Sequence, residues 1–369
     1  MMANHGNIGE HVGRLRSLSF EIGTYRPPSE GGSASLLLRV SENCPWNKCT
    51  FCEMYKGHRY GYRPVAEVTA DIDRVAAIRD EIVAVSHELG MGGEITREVG
   101  SALLGQGRDL LGNASFVTVF NWLASGGRTA FLQDADSMSM RPPEFMAVLR
   151  HLRKTLSSLT RVTTYTRSKT LFKRKPEELR MIREAGLDRL HVGLETGDDE
   201  VLSLVSKGVT SAEQIEGGRK AVAAGFQVSM YWMPDLGGRE RWRQHAENTA
   251  RVLSAINPDY IRSRPLVPRP GTPLHDEVEQ ERLHLSSPHE RLEELALMIG
   301  SLEVTSKVCF DHAMNSWADR SGGLLFRQDY EGYQFPGEKP LLLERIREGL
   351  SIDESMHVHA RRLMAVPSL

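Results

Sequence analysis

Apolar positions along this chain fall into two alternating rhythms. Short apolar or β-branched runs recur at Leu36-Leu37-Leu38-Arg39-Val40, Thr129–Gln133, Val162–Thr166, Arg189–Glu195, Gln227–Met233 and Tyr260–Leu266. Each has the length and composition of a strand. Between them the spacing becomes helical. Val68, Ile72, Val75, Ile78, Ile82 and Val85 predict a helix over Val65–Leu89. Pro143–Leu156 and Pro176–Ala185 predict two more, the second with proline near its first turn. Thr210 or Ser211, followed three residues on by Glu213 or Gln214, forms a capping box. That helix runs to Ala224 and stops at Gly225, and another spans Arg241–Ile256.

Six strands alternating with helices are the signature of parallel βαβ units, so the fold class is α/β. Right-handed crossovers curl such units into a partial (β/α)6 TIM-like barrel. A doubly wound open sheet shares the pattern and remains the alternative. The flanks break the rhythm. Residues 1–34 are polar and predict an irregular lead-in with a short strand near Leu18–Ile22. Residues 64–125 continue as helix at about 94–111 and 117–123, which makes them a helical insertion in a core spanning 35–275. Beyond Pro268, Pro270 and Pro273, residues 276–369 predict helices at His289–Ser301 and Lys339–Leu350 and an extra strand at Lys307–Phe310. This C-terminal extension is expected to close the barrel.

Composition narrows the classes. A length of 369 residues allows one large α/β domain or two smaller ones. A formal net charge of −2 provides no global field for nucleic acid or an anionic membrane, so neither is expected as a partner. No apolar stretch is long enough to span a bilayer, and the N-terminus lacks the apolar centre of a signal peptide. Four cysteines, three of them clustered, are not a disulfide framework and predict a reducing, cytoplasmic setting.

That cluster is the main chemical signal. Cys44, Cys49 and Cys52 sit together just past the first strand, where parallel α/β folds place ligands. Structural zinc takes four protein ligands, which here would need His58 or Cys309 to complete the set. A 4Fe–4S cube has four irons, so three thiolates leave one iron open to an exogenous ligand.

The loop Asn43-Cys44-Pro45-Trp46-Asn47-Lys48-Cys49-Thr50-Phe51-Cys52 resembles the cluster loop of the radical S-adenosylmethionine (SAM) superfamily. Phe51 before the last cysteine belongs to that resemblance. The spacing is C-x4-C-x2-C, one residue longer than the superfamily's common C-x3-C-x2-C. Further stretches agree over about residues 35–275. Phe131–Ser137 stands where the superfamily has a Gly-Gly-Glu-like turn for the SAM amino group. Here Gln133, Asp134, Asp136 and Ser137 occupy that place, and the two carboxylates could accept from an ammonium. The alternative is a polar strand-end turn.

Tyr165 and Arg167 end the third strand, where an arginine fork could pair with the SAM carboxylate. Equally, Arg167 belongs to a surface basic run. His191-Val192-Gly193-Leu194-Glu195-Thr196-Gly197, continued by Asp199–Leu202 and Lys207-Gly208, resembles the GxExG-type strand end of methylthiotransferases and oxygen-independent coproporphyrinogen dehydrogenases. The resemblance implies that Glu195 contacts the SAM ribose or methionine. Trp232 and Met233 take the place of adenine neighbours, or are core. Arg262 and Arg264 share a face of the sixth strand, where they need a partner or an anionic ligand.

The resemblance implies a 4Fe–4S cluster with SAM chelated at the open iron. One-electron reduction would give methionine and a 5′-deoxyadenosyl radical, which takes hydrogen from a small-molecule substrate. A donor such as flavodoxin or ferredoxin would supply the electron. With one cysteine outside the loop, a second thiolate-held cluster is not expected, and the short stretch before the loop predicts no cobalamin domain. Two other readings stay open. One is a non-catalytic scaffold holding zinc or an iron–sulfur cluster. The other is a SAM-binding barrel without cleavage, suggested by the missing Gly-Gly-Glu.

Overall fold

The computed structural model describes residues 5–25 and 34–364. The Pro27-Pro28 and Gly31-Gly32-Ser33 segments lie outside them. The chain divides into two compact units. The first takes in the chain up to Asn43, then Tyr60–Tyr165 and Met181–Arg189. The second holds Cys44–Arg59, Thr166–Arg180 and the chain from Leu190 on.

In the first unit, β1 (Ser35–Arg39) is followed by the short antiparallel pair β2 (Ser41–Glu42) and β3 (Gly61–Tyr62). β4 (Thr129–Gln133) lies parallel to β1, with Arg39 opposite Gln133. β5 (Arg161–Arg167) runs parallel to β4. Five helices belong here: α1 (His5–Ser17), α2 (Val65–Glu88), α3 (Arg97–Gln106), α4 (Ala114–Ala124) and α5 (Pro142–Thr155). The six residues that predict α2 are all fully buried, each stabilising by about 1.5–3 kcal/mol relative to exposure. The helix packs against α1, α4 and α5.

The lead-in departs from expectation. It forms α1, and no strand occupies Leu18–Ile22. Ile8, Val12 and Leu15 are buried at helical spacing. Glycine at 6, 9 and 13 lowers helix propensity enough to hide that stripe, and packing onto α2 and α3 overrides it.

Two short helices follow β5, α6 (Ser168–Lys173) and α7 (Pro176–Glu184). The second unit then runs β6 (Arg189–Glu195), α8 (Asp199–Leu204), α9 (Ser211–Ala223), β7 (Gln227–Trp232), α10 (Gly238–Ile256) and β8 (Tyr260–Ser263). It continues with α11 (Pro273–Glu279), α12 (Pro288–Ser301), β9 (Lys307–Cys309), β10 (Tyr333–Gln334), α13 (Lys339–Leu350) and α14 (Ala360–Leu363). Its strands stand in the order β6-β7-β8-β9-β10. β7, β8 and β9 are parallel, and β10 closes the edge antiparallel to β9. Thr210 and Glu213 form the predicted capping box of α9. Gly225 follows α9 at φ +82°, the left-handed conformation that ends a helix.

The α/β class and the six expected strands are present, and β9 adds a parallel strand beyond them. Among the described residues, neither unit closes its strands into a ring. No described helix is long and apolar enough to cross a membrane.

Candidate functional site

The cysteine loop in the second unit is pinned on both sides. Thr50 N–H donates to Val205 O at 3.0 Å, and Leu274 N–H donates to Thr50 O at 3.0 Å. The longer Cys44–Cys49 spacing has a structural use. Trp46 turns its indole N–H onto Ser206 O at 2.7 Å. Gly208 makes room for the ring, because a Cβ there would lie 2.3 Å from it. Gly208 also has φ +72°, so glycine is favoured twice over at this position. Asn47 then reverses the chain at φ +48°, and its N–H points at Cys44 Sγ, 3.4 Å away.

All three loop thiols are free and half-buried. Burial pushes the Cys49 thiol up, Lys207 pulls it back, Glu195 adds to the rise and Arg167 opposes it. Burial likewise pushes Cys52 up, partly offset by the Met54 N–H. Such thiols become thiolates when a metal offsets the lost solvation. Zinc at about 2.3 Å from each sulfur would gather its donors within roughly 4 Å of one another. Among the described residues, no group of three or more His, Cys, Asp or Glu side chains is set to hold a single metal ion. A cube takes each thiolate on a different iron and leaves one iron open, so three free thiols on one pinned loop fit that group.

Beside the loop, β6 ends at Glu195 with φ +67°. A left-handed non-glycine residue is costly and must be held by its surroundings. Here Lys207 Nζ donates to Glu195 Oε1 at 2.7 Å, and both residues are buried. Burial pulls the Lys207 pKa down, but Glu195 and Cys49 outweigh it and the net shift is upward. Arg167 donates to Lys207 O at 2.9 Å and lies 5.0 Å from the Trp46 ring. Met233 N–H donates to Glu195 O at 2.9 Å. Its side chain packs with Phe51 on an apolar cluster that includes Val201, Val205 and Leu266. The second unit thus brings the cysteines, Arg167, Glu195 and Met233 together.

Arg262 has other partners. Its Nη1 makes an ion pair with Asp311 Oδ2 at 2.9 Å, Nε donates to Ser229 Oγ and Nη2 to Tyr330 O. Arg264 shares the same carboxylate at 3.1 Å. The partner these two arginines require is therefore Asp311. Desolvation drops neighbouring His312 to about 4, so it is neutral at physiological pH. Cys309 is buried and pushed up to about 12, an unreactive thiol.

In the first unit, Asp134 takes φ +71°, and its Oδ2 accepts from Arg39 Nε at 2.8 Å and Asn43 N–H at 2.9 Å. It anchors the residue that enters the cysteine loop. Gln133 is fully buried and clasps the lead-in, donating to Gly23 O and Tyr25 O and accepting from Gly23 N–H. Its amide donors are used there. Asp136 O accepts from Ser139 N–H, Ser137 Oγ donates to Gln133 O at 3.4 Å, and Tyr165 packs edge-on to Phe131.

Sequence reasoning gave no role to Lys207 or Trp46. Lys207 stood only within the stretch that carries the resemblance, and the fold reveals its carboxylate partner. Nor did it foresee the buried polar chain behind Glu195. His245 Nε2–H donates to Met233 O (3.1 Å) and lies 3.3 Å from Glu294, while Nδ1 hydrogen-bonds Thr196 Oγ1 (2.7 Å). Glu294 in turn accepts from Asp235 N–H.

Asp235 is fully buried, and burial raises it to about 7. Arg291 opposes that rise, and Glu294 adds to it. The folded state thus holds a proton that the unfolded chain releases near pH 4. The contribution is complete below pH 4 and is lost as pH rises through about 7. Asp235→Asn is expected to remove that fall, as seen in urea midpoints from pH 4 to 8. Parallel pH profiles for variant and parent would contradict it.

The chain is 26% identical to the heme chaperone HemW of Bacillus subtilis (strain 168) over 129 residues, 34% of this chain and 33% of that protein. It therefore spans about a third of that relative's length. Among solved structures it resembles coproporphyrinogen III oxidase (HemN) from Escherichia coli, at 13% identity and a TM-score of 0.44. That likeness covers 78% of this chain and 60% of the other. It also resembles the radical SAM methyltransferase TsrM from Kitasatospora setae, at 17% identity and a TM-score of 0.45, over 73% and 45% of the two chains. These likenesses are too low to carry an activity across. The Radical SAM superfamily model matches residues 38–246, more than half of the chain and all of the cysteine loop, and the protein belongs to the radical SAM superfamily.

Proposed function

We propose that this chain is a radical SAM enzyme acting on a small-molecule substrate, with a 4Fe–4S cluster on Cys44, Cys49 and Cys52. The observation that supports this most is the loop itself: three free thiols, pinned through Thr50 and Trp46, beside the buried Glu195–Lys207 pair. The superfamily uses that cluster together with SAM. When bound, the cluster supplies the electron that splits the sulfonium bond of SAM.

The chain's own residues do the rest. Glu195 offers a fixed acceptor for the ribose or methionine of SAM, and Lys207 holds its carboxylate in one orientation. Arg167 offers a guanidinium for the SAM carboxylate. Phe51 and Met233 provide apolar cover that excludes water. Asp136, Ser137 and Tyr165 at the strand ends of the first unit are assigned to SAM binding from the motif positions they occupy. Asp134 and Gln133 are assigned a positioning role, because their partners are protein groups. Arg262 is assigned to holding Asp311.

A one-electron donor such as flavodoxin or ferredoxin completes the reaction, and a reducing cytoplasmic setting suits the free thiols. Porphyrins are the first substrates to screen, given the heme-handling relative. The experiment is anaerobic reconstitution, reduction with dithionite and chromatographic detection of 5′-deoxyadenosine. Formation by the parent and loss to background in Cys49→Ala is the expected outcome. A Cys49→Ala protein that still makes 5′-deoxyadenosine would sink the reading.

A further inference from the structure

We propose that Arg264 and His312 form a binding site for a carboxylate group of the substrate. This rests on the function proposed above, whose substrate class it narrows to small carboxylic acids. Every group involved lies in the second unit. Arg262 and Arg264 both pair with Asp311, and Arg269 lies 3.8 Å from Glu53. Three guanidiniums against two carboxylates leave one positive charge in excess. The Arg264 and Arg269 side chains are 15% and 13% exposed, so a small solute reaches them where bulk ions screen them little. One excess charge matches a carboxylate, whereas a phosphate would bring about two.

His312 supplies a hydrogen-bond donor at the same place. Its Nδ1 accepts from Met314 N–H at 3.2 Å, which puts the ring hydrogen on Nε2. Among the described residues, that Nε2–H meets no acceptor. The ring is half-buried, and desolvation, reinforced by Arg264 and Arg269 against the pull of Asp311, keeps it neutral. It therefore donates without adding a charge of its own. Arg264 is held in place beside it. Its Nη1 donates to Ser263 O at 2.9 Å, and its guanidinium lies 4.7 Å from the Tyr231 ring. A fixed cation and a neutral donor together satisfy a carboxylate with one charge-assisted bond and one further hydrogen bond.

The site shares a sheet face with Glu195. Tyr231 OH is hydrogen-bonded to His191 Nδ1 at 2.9 Å. His191 and Gly193 lie on one face of β6. The Glu195 carboxylate folds over Gly193, because a Cβ there would lie 2.3 Å from Glu195 Oε1. The same face therefore carries the Glu195–Lys207 pair, then His191 with Tyr231, then Arg264. Glu53, the partner of Arg269, directly follows Cys52 in the chain. A carboxylate held by Arg264 and His312 anchors a substrate on the face that also offers Glu195 to SAM.

The test uses the reconstituted full chain with its cluster oxidised, and butyrate as the probe, with butyramide as its uncharged match. Binding is read on the probe by saturation-transfer difference NMR, with and without saturating SAM. The parent is expected to bind butyrate and not butyramide. His312→Phe and Arg264→Gln should each weaken butyrate about tenfold, as expected for one lost hydrogen bond to a charged group. His312→Gln, which keeps a donor, should retain part of the affinity, and His284→Phe at an exposed position should match the parent. Iron and sulfide content that holds in every variant shows that the fold is kept. Saturating SAM should leave the butyrate signal in place. No butyrate binding, equal binding by parent and His312→Phe, or equal binding of butyramide overturns the site. Loss of the butyrate signal on adding SAM gives the site to the carboxylate of SAM and overturns its assignment to the substrate. A parent that makes no 5′-deoxyadenosine with dithionite overturns the functional reading instead, and the butyrate data still decide the carboxylate site.

Discussion

Lys207→Met is expected to cost about 3–5 kcal/mol of folding stability, because it leaves the Glu195 carboxylate buried without its cation. The interaction is a 2.7 Å charge-assisted hydrogen bond between two side chains with little access to water. The upward shift at Lys207 shows that attraction to Glu195 and Cys49 exceeds the cost of burying the ammonium. Losing the methylenes is not the cause, since methionine conserves much of the stem. Urea denaturation of the single variants and of Lys207→Met with Glu195→Gln closes a double-mutant cycle. The double variant should recover most of the loss. A Lys207→Met penalty below about 1 kcal/mol, or no recovery, would mean that the pair is solvated in solution.

Asp311→Ala is expected to be comparably severe, at about 3–5 kcal/mol. The buried guanidinium of Arg262 and the partly buried one of Arg264 converge on its carboxylate. Arginine does not shed its charge when a partner is removed, so the excess charge stays buried. Arg262 keeps Ser229 and Tyr330 O as hydrogen-bond acceptors, but neither carries charge. Asp276→Ala, an exposed aspartate on α11, should stay within about 0.5 kcal/mol of the parent in the same urea titration. If the two substitutions cost the same, Asp311 is not the counter-charge for this pair.

The strand and helix rhythm was legible because burial follows periodicity closely here. Ile72, Ile78 and Ile82 sit fully inside α2 as their spacing demands, and the capping box at Thr210 marks the start of α9. The cysteine loop was legible for a different reason: three thiols within nine residues have few uses other than metal chemistry. Local glycine hid α1, whose buried face depends on neighbours far along the chain.

Partnerships across long sequence separations were the least visible. Arg39 is 95 residues from Asp134, and Arg262 is 49 residues from Asp311. No local pattern links such residues. The sequence offered Asp134 as a ligand for an ammonium; in the fold its carboxylate takes a guanidinium and a backbone N–H, which makes it a brace for the loop entrance. The extra residue between Cys44 and Cys49 was a deviation in the sequence. In the fold it lets Trp46 reach Ser206 and Gly208.

The most direct measurement is the iron and sulfide content of the anaerobically reconstituted chain, beside a variant with Cys44, Cys49 and Cys52 all replaced by alanine. The account predicts about four irons and four sulfides per parent chain, as one cube requires, and close to none in the variant. It also predicts that adding SAM changes the EPR signal of the reduced parent protein. One zinc and no sulfide per chain, or equal iron in parent and variant, would contradict it.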